Sequence, residues 1–403
     1  MMVTTSYPRF QGDSVGTFME PIATAVAARG HEVHVVAPWH PAIDRPAIDR
    51  GVHLHFYKYA PHPSLNVFGY AAAMRADVSL RGAAYMAAPL ALAAGWWTAR
   101  RVARQVRATI IHGHWVVPGG ITARLAAPRL PRVISLHGSD VFVAERLAPA
   151  RAAAKMAFAG AGYVTACSAD LAERAIRLGA DPDRIAVVPY GVDSARFRPS
   201  EPARAALRAR LGMADGTLLV AAAGRLVRKK GFEYLVEAMA ALPDAALALA
   251  GAGTLEQELR TRAEQAGVAA RVHFLGDQTQ DQVVELFAAA DIIVAPSVRD
   301  DAGNVDGLPN VVMEALASGT PLVTTEAGGI GAVVTHQRTA WIVPERSPGA
   351  IADALVHLGD PAVRRSLGTA ARALVEERYG WQRTAEGMET AYRLALASHR
   401  GGR

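Results

Sequence analysis

The chain has 403 residues, 51% of them apolar but only 6% aromatic, and a formal net charge of +6 at pH 7. That length suits two α/β domains whose cores are built mainly from Ala, Val and Leu. The single cysteine, Cys167, excludes an internal disulfide and any CxxC metal or redox motif, and no basic tail or repeated basic-aromatic stretch points to nucleic acid.

The opening "MMVTTSYPRF" has no charged segment leading into an apolar one, so no signal peptide is expected and a cytoplasmic location follows. In "GDSVGTF", 12–18, Gly12 and Gly16 sit in a loop before a helical segment over 17–29, where backbone approaches a ligand without a Cβ in the way. "HEVHVVAP" reads as a strand. Residues 83–97, "AAYMAAPLALAAGWW", form an apolar run broken by Pro89 and too short to span a bilayer. Arg81 precedes it, and Arg100, Arg101, Arg104 and Arg107 follow. Paired Trp96 and Trp97 beside arginines suit a headgroup-level anchor, making 83–107 a candidate contact with an anionic membrane surface. The plainer alternative is a packed helix with a solvated arginine face.

Further strands are predicted at "TIIHGHW", "RVISLHG", "GYVTACS" and "IAVVPYG", alternating with Ala-rich helical segments such as 151–161. Three histidines, His112, His114 and His137, gather at two of these strand ends. The His-x-His pair is read as straddling the strand, one ring on each face, so no shared metal is expected. His137, at a strand tip before Gly138-Ser139-Asp140, is the better ligand contact. "DPD", 181–183, reads as a proline turn. A proline cluster over 187–206 marks a boundary between domains 1–189 and 190–375, leaving 376–403 as a closing helix that crosses back to the first domain or stays with the second.

The second half repeats the scheme with "TLLVAAAG", "AALALAG", "VHFLG", "DIIVAPS", "PLVTT" and "TAWIVP". Continuous apolar strands alternating with helices imply parallel sheets covered on both faces, with ligands beyond the carboxyl ends of the strands. Only four of the 43 basic residues are lysine, and two of them adjoin in "AAAGRLVRKKGFEYL". There Arg225 and Lys230 are placed to converge on a diphosphate beside Gly224; the alternative is a solvated basic loop. Gly251 and Gly253 occupy another strand-to-helix turn, and Ser297 ends the strand "DIIVAPS". In "DGLPNVVMEA", Asp306 and Glu314 stand eight residues apart across Gly307, Leu308 and Pro309. Pro309 is expected as the first helical residue, freeing first-turn N–H groups for an anion. Asp306 then lies before the helix and Glu314 more than a turn inside it. Gly328 and Gly329 form a tight turn after the next strand.

These motifs, "GRLVRKKGFEYLVEA", "DGLPNVVMEALASGTPLVTTEAGGI" and "VVPYGVDSARF" above all, with "GHEVHVV", "IHGHWVVPGG" and "LHGSD" in the first half, resemble the retaining glycosyltransferases of family 4. The resemblance implies the GT-B fold, two doubly wound Rossmann-like α/β domains facing across a cleft, the first for the acceptor and the second for a nucleotide-sugar. The family's E-x7-E motif falls on Asp306, implied to contact the donor sugar, and Glu314, implied to hold the ribose. Its diphosphate-binding pair matches Arg225 and Lys230, its glycine loop Gly12 and Gly16, and its sugar-contacting histidine His137. Gly224, Gly251, Gly253, Ser297, Gly307, Leu308 and Pro309 complete the expected donor site. The departure is aspartate, one methylene shorter, for the first glutamate. The implied activity is metal- and cofactor-independent transfer of a sugar to a glycan, lipid-linked or small-molecule acceptor; the 83–107 segment adds the expectation of a cytoplasmic enzyme peripheral on the inner face of the membrane, as in polysaccharide biosynthesis. A nucleotide-sugar epimerase of related fold and an inactive nucleotide-sugar-binding partner are the competing readings.

Overall fold

The computed structural model describes residues 1–401 apart from 63, 64, 67, 71–73, 77, 78, 81 and 215, so Arg81 lies outside the described residues. Runs such as "LLVAAA" and "AALALA" are buried along nearly their whole length. A strand with apolar side chains on both faces has no solvent side, and it is stable only inside a sheet sandwiched between helices.

The first sheet has eight strands. They are β1 (Met2–Val3), β2 (Val33–Pro38), β3 (Ile48–Asp49) and β4 (Val52–Tyr57), then, beyond a separate hairpin of β5 (Met74–Ala76) and β6 (Ser79–Leu80), β7 (Ile111–His114), β8 (Arg132–Leu136), β9 (Tyr163–Ala166) and β10 (Ile185–Val187). Their order is β10-β9-β8-β7-β1-β2-β4-β3, parallel except for the β3–β4 edge pair. The order reverses between β1 and β7, whose registers run Met2 to His112 and Val3 to Gly113. The sequence reading missed β1, β3 and β4. β1 has only two residues, too few to show a period, yet it lies at the centre of the sheet.

The second sheet comprises β11 (Leu218–Ala223), β12 (Ala245–Ala250), β13 (Val272–Gly276), β14 (Ile292–Ala295), β15 (Leu322–Thr324) and β16 (Trp341–Ile342). All pairs are parallel in the order β13-β12-β11-β14-β15-β16, so this sheet reverses between β11 and β14. In such sheets the carboxyl ends flanking the reversal form the ligand crevice. The core beneath includes Leu226, Leu235, Met239, Leu247 and Leu355, each fully buried. Truncating one of the leucines to alanine costs about 2–5 kcal/mol.

Two compact units result: Met1–Pro189 with Trp381–Arg403, and Tyr190–Gly380. The closing helix Trp381–Gly401 packs on the first unit, where Tyr392 bonds His112 and Glu389 pairs with Arg29.

Candidate functional site

In the second unit the chain leaves β11 at Gly224, passes exposed Arg225 and makes a short helical turn over Arg228–Lys230. Gly231 closes that turn in the left-handed conformation. Arg228 points outward to Glu258, 2.6 Å away. Lys229 and Lys230 do the opposite. Their ammonium groups lie 3.1 and 2.6 Å from the two carboxylate oxygens of Asp306, and the three side chains are 5%, 13% and 15% exposed. The loop is thus divided: Arg225 and Arg228 are exposed, as the solvated-loop alternative expects, while two lysines and an aspartate are drawn out of water together. Burial alone would raise the Asp306 carboxyl, but the two ammonium groups hold it well below the usual carboxylate range.

The backbone explains why this convergence is firm. Val298, just past β14, donates its N–H to the Lys229 carbonyl at 2.9 Å. Thr325 and Thr324 at the end of β15 bond the carbonyls of Ser297 and Ala295 at 2.5 and 2.8 Å. The Gly328 turn lies so close to Asp306 that a Cβ there would sit 1.9 Å from the Asp306 carbonyl oxygen. Gly251 is required for a similar reason: at φ +137° its Cβ would meet the Gly224 carbonyl at 1.9 Å. Gly253 lies in the same exposed turn, against Leu226. These strand tips are thus fitted backbone against backbone, which fixes where Lys229, Lys230 and Asp306 project.

The helix after the acid begins at Asn310, one residue later than the sequence suggested, because Pro309 adopts an extended ψ of 127° and serves as the cap position. Gly307, Leu308 and Pro309 are buried in the turn between the two acids. Glu314 lies inside the helix Asn310–Ser318, whose residues from Val311 on are buried. Its nearest described partner is the Gln280 amide at 3.4 Å. Burial pushes the Glu314 carboxyl up to about 7, against the opposing pull of Gln280, Arg196 and Lys230. One carboxyl is held ionised and the other is poised near neutrality within the same motif.

The first unit places different chemistry at its strand tips. Gly12 and Gly16 adopt left-handed conformations in the loop after β1. That loop is braced by the Arg9–Asp13 ion pair at 2.7 Å, and it delivers Phe18. Half-buried His137, after β8, has Phe18 and Trp115 rings 4.7 and 4.6 Å away, and its Nε2 lies 3.1 Å from His114 Nδ1. Trp115 has φ +63°, rare for an aromatic residue; strain of this kind, worth about 1–3 kcal/mol, collects at functional sites. Beneath them Asp140 accepts main-chain N–H groups from Val116 at 2.7 Å, Gly138 at 3.0 Å and His137 at 3.3 Å, tying the β7 loop to the β8 loop. Burial raises the Asp140 carboxyl and those N–H groups draw it back.

His112 and His114 share a face rather than straddling the strand, with ring centroids 4.0 Å apart, because residues two apart on a strand point the same way. His112 nonetheless spends both ring nitrogens on hydroxyls, Tyr392 at 2.8 Å and Ser135 at 2.7 Å. Burial depresses all three histidines, His114 to about 3, so they act as neutral rings. The sequence reading also passed over Lys229, Phe18, Trp115 and Asp140.

The apolar run 83–97 forms part of one helix, Gly82–Gln105, which runs through Pro89. Trp96 is half-buried and its indole N–H bonds Leu125 O at 3.1 Å, whereas Trp97 is 62% exposed. Leu90, Trp97, Arg101 and Arg104 recur at helical spacing and are all exposed. No described helix is long and apolar enough to cross a membrane.

Comparison with known proteins matches both halves. The profile of Glycosyltransferase Family 4 covers residues 15–196 and that of Glycosyl transferases group 1 covers 203–373. A D-inositol 3-phosphate glycosyltransferase from Nocardia farcinica is 36% identical over 262 residues, 62% of this chain but 56% of that protein, so the match spans little more than half the relative's length. Its namesake from Streptomyces bingchenggensis is 31% identical over 316 residues, 72% of this chain and 68% of that one. A GDP-mannose-dependent alpha-(1-6)-phosphatidylinositol monomannoside mannosyltransferase from Mycobacterium tuberculosis is 29% identical over 390 residues, 94% of each chain. Among solved structures, sucrose-phosphate synthase from Thermosynechococcus elongatus superposes with a TM-score of 0.78 at 21% identity, covering 98% of this chain and 99% of that one. Anabaena HepE in complex with UDP and glucose gives 0.76 at 19% identity, covering 97% and 99%.

Proposed function

The chain belongs to glycosyltransferase family 4, with the GT-B fold, and from that premise we propose that it is a retaining, metal-independent enzyme that moves a hexosyl group from a nucleotide-sugar to an inositol-bearing acceptor at a membrane surface. The observation that carries this reading is the Lys229–Asp306–Lys230 cluster at the reversal of the second sheet, with Glu314 eight residues beyond Asp306. Transfer to an acceptor hydroxyl breaks the bond between the anomeric carbon and the β-phosphate oxygen. That oxygen keeps the electron pair, and negative charge grows on the leaving diphosphate. Lys230 and Arg225 supply positive charge there, and the N-terminus of helix Asn310–Ser318 adds its dipole. In the free protein Lys230 neutralises Asp306; when a diphosphate draws Lys230 away, buried Lys229 remains to hold that carboxylate. Asp306 then accepts hydroxyls of the donor sugar and Glu314 those of the ribose.

In the first unit, His137 on its aromatic support is the residue that the family pattern assigns to sugar contact. A neutral imidazole donates or accepts a hydrogen bond without repelling the acceptor. The new glycosidic bond forms on the face the phosphate leaves, and the phosphate oxygen takes the acceptor's proton, so no protein nucleophile is needed. GDP-mannose and inositol-containing acceptors are the first to try, because they appear in the names of the relatives. The outward face of helix Gly82–Gln105, with Trp97 beside Arg101 and Arg104, supports delivery from an anionic membrane.

The test is a transfer assay pairing GDP-mannose or UDP-glucose with phosphatidylinositol mannoside in vesicles or free inositol phosphate. Acceptor-dependent release of nucleoside diphosphate, with product of the donor's anomeric configuration, is expected. Epimer formation without acceptor, or nucleotide binding with no transfer to any acceptor, would overturn the reading.

A further inference from the structure

Away from these strand tips, the sequence carries "HEVH" and "VHLH", placing four of its 13 histidines and a glutamate on two short stretches. β2 and β4 are parallel neighbours with His34 opposite His53 and Val36 opposite His55. His53 and His55 share a face, so both rings flank His34, with centroids 4.5 and 5.3 Å away. His34 Nε2 lies 2.9 Å from Glu32 Oε1, and its Nδ1 lies 3.1 Å from His55 Nε2.

We propose that Glu32, His34 and His53 form a binding site for a borderline transition-metal dication such as Zn2+, with His55 as the outer partner that orients His34. One ligand atom from each of the three lies within 4.8 Å of the others. Two imidazoles and a carboxylate form a zinc donor set that leaves a fourth position open. Zinc–nitrogen bonds of about 2.0–2.1 Å put tetrahedral ligand atoms roughly 3.3 Å apart, so a separation near the 4.8 Å limit must close by about 1.5 Å while the 2.9 Å Glu32–His34 contact opens slightly. Glu32, 69% exposed, and half-buried His53 have room to make that movement by side-chain rotation. His34 is 5% exposed and already fixed, its second nitrogen engaged by His55 as a metal-bound imidazole requires. Glu32 and His34 also border a cavity of about 270 Å3 with Arg107 and Tyr392, which gives an ion a way in. The site lies at the amino-terminal edge of the sheet, the end opposite His137, so it stands apart from transfer chemistry and acts on the fold or on a ligand of the metal.

The alternative occupant of the space between His34 and Glu32 is a proton, in a simple chain from His55 through His34 to Glu32. Calorimetric titration of the chelator-stripped, full chain with ZnCl2, and of the same protein with Co2+ followed by visible absorption, separates the two. One saturable equivalent, with tetrahedral Co2+ bands and a higher unfolding temperature, is expected. Glu32→Gln and His53→Ala, both at accessible positions, should each weaken that equivalent by roughly 10–100-fold while leaving metal-free unfolding unchanged. The proposal is overturned if no saturable equivalent appears. It is equally overturned if the equivalent persists undiminished in both variants.

Discussion

Asp140 in the first unit and Asp306 in the second both lie just past the carboxyl ends of sheet strands, and their surroundings differ in kind. Asp306 faces two ammonium groups and is held ionised. Asp140 faces main-chain N–H groups beneath neutral imidazole and indole rings, and its carboxyl is raised. One set of strand tips presents charged side chains paired with one another on a fitted backbone. The other presents a neutral, aromatic wall braced by a carboxylate whose partners are main-chain N–H groups. A shared fold therefore supports two environments: a charged edge in the second unit and a neutral, aromatic edge in the first.

The largest effect should come from removing charge at the second edge. Lys230→Ala is expected to lower turnover by about 10²–10³-fold, the loss typical of one preorganised donor to a developing oxyanion, with nucleotide affinity changed much less. Steady-state kinetics at saturating donor would check it, and an unchanged kcat would erase the contrast. Asp140→Ala tests the other edge. It strips the common acceptor from three main-chain donors and should cost about 2–3 kcal/mol of stability by denaturant unfolding, while nucleotide affinity of the folded protein stays as it was.

Glu314 gives the next effect. In the free protein its carboxyl is raised to about 7, so it is largely protonated at pH 6 and ionised at pH 8. A ribose diol donates two hydrogens and prefers the carboxylate, so binding expels a proton and affinity falls as pH falls. At pH 6 about a tenth of the protein is ionised, which predicts roughly tenfold weaker nucleoside diphosphate binding than at pH 8. Glu314→Gln should bind weakly at both pH values; a wild-type affinity flat across this window would remove the role assigned to Glu314. The smallest effect is expected from Trp97→Ala, a several-fold loss in flotation with anionic vesicles and none with zwitterionic ones.

The second edge was largely legible in the sequence because its residues fall in contiguous motifs at strand ends: Arg225 to Lys230 after one strand, Asp306 to Glu314 after another. What the motif could not separate was Lys229 from Arg228. Neighbours in sequence, they diverge because a helical turn sends one to Asp306 and the other to Glu258. The first edge was only partly legible. His137 stood out, but Phe18, Trp115 and Asp140 reach it from three loops, and no local period reports such a meeting. The placing of His112 and His114 on opposite faces failed on strand geometry, since their side chains lie two apart and not one. β1 was missed because two residues carry no pattern, although the first sheet is built around them.

Calorimetric titration of GDP and UDP at pH 8 into wild type, Glu314→Ala and His137→Ala decides whether the charged strand tips of the second unit hold the nucleotide while the aromatic tips of the first do not. The prediction is one site per chain for the preferred nucleotide, weakened at least tenfold by Glu314→Ala and unchanged by His137→Ala. Binding that survives Glu314→Ala but is lost in a folded His137→Ala variant would contradict it.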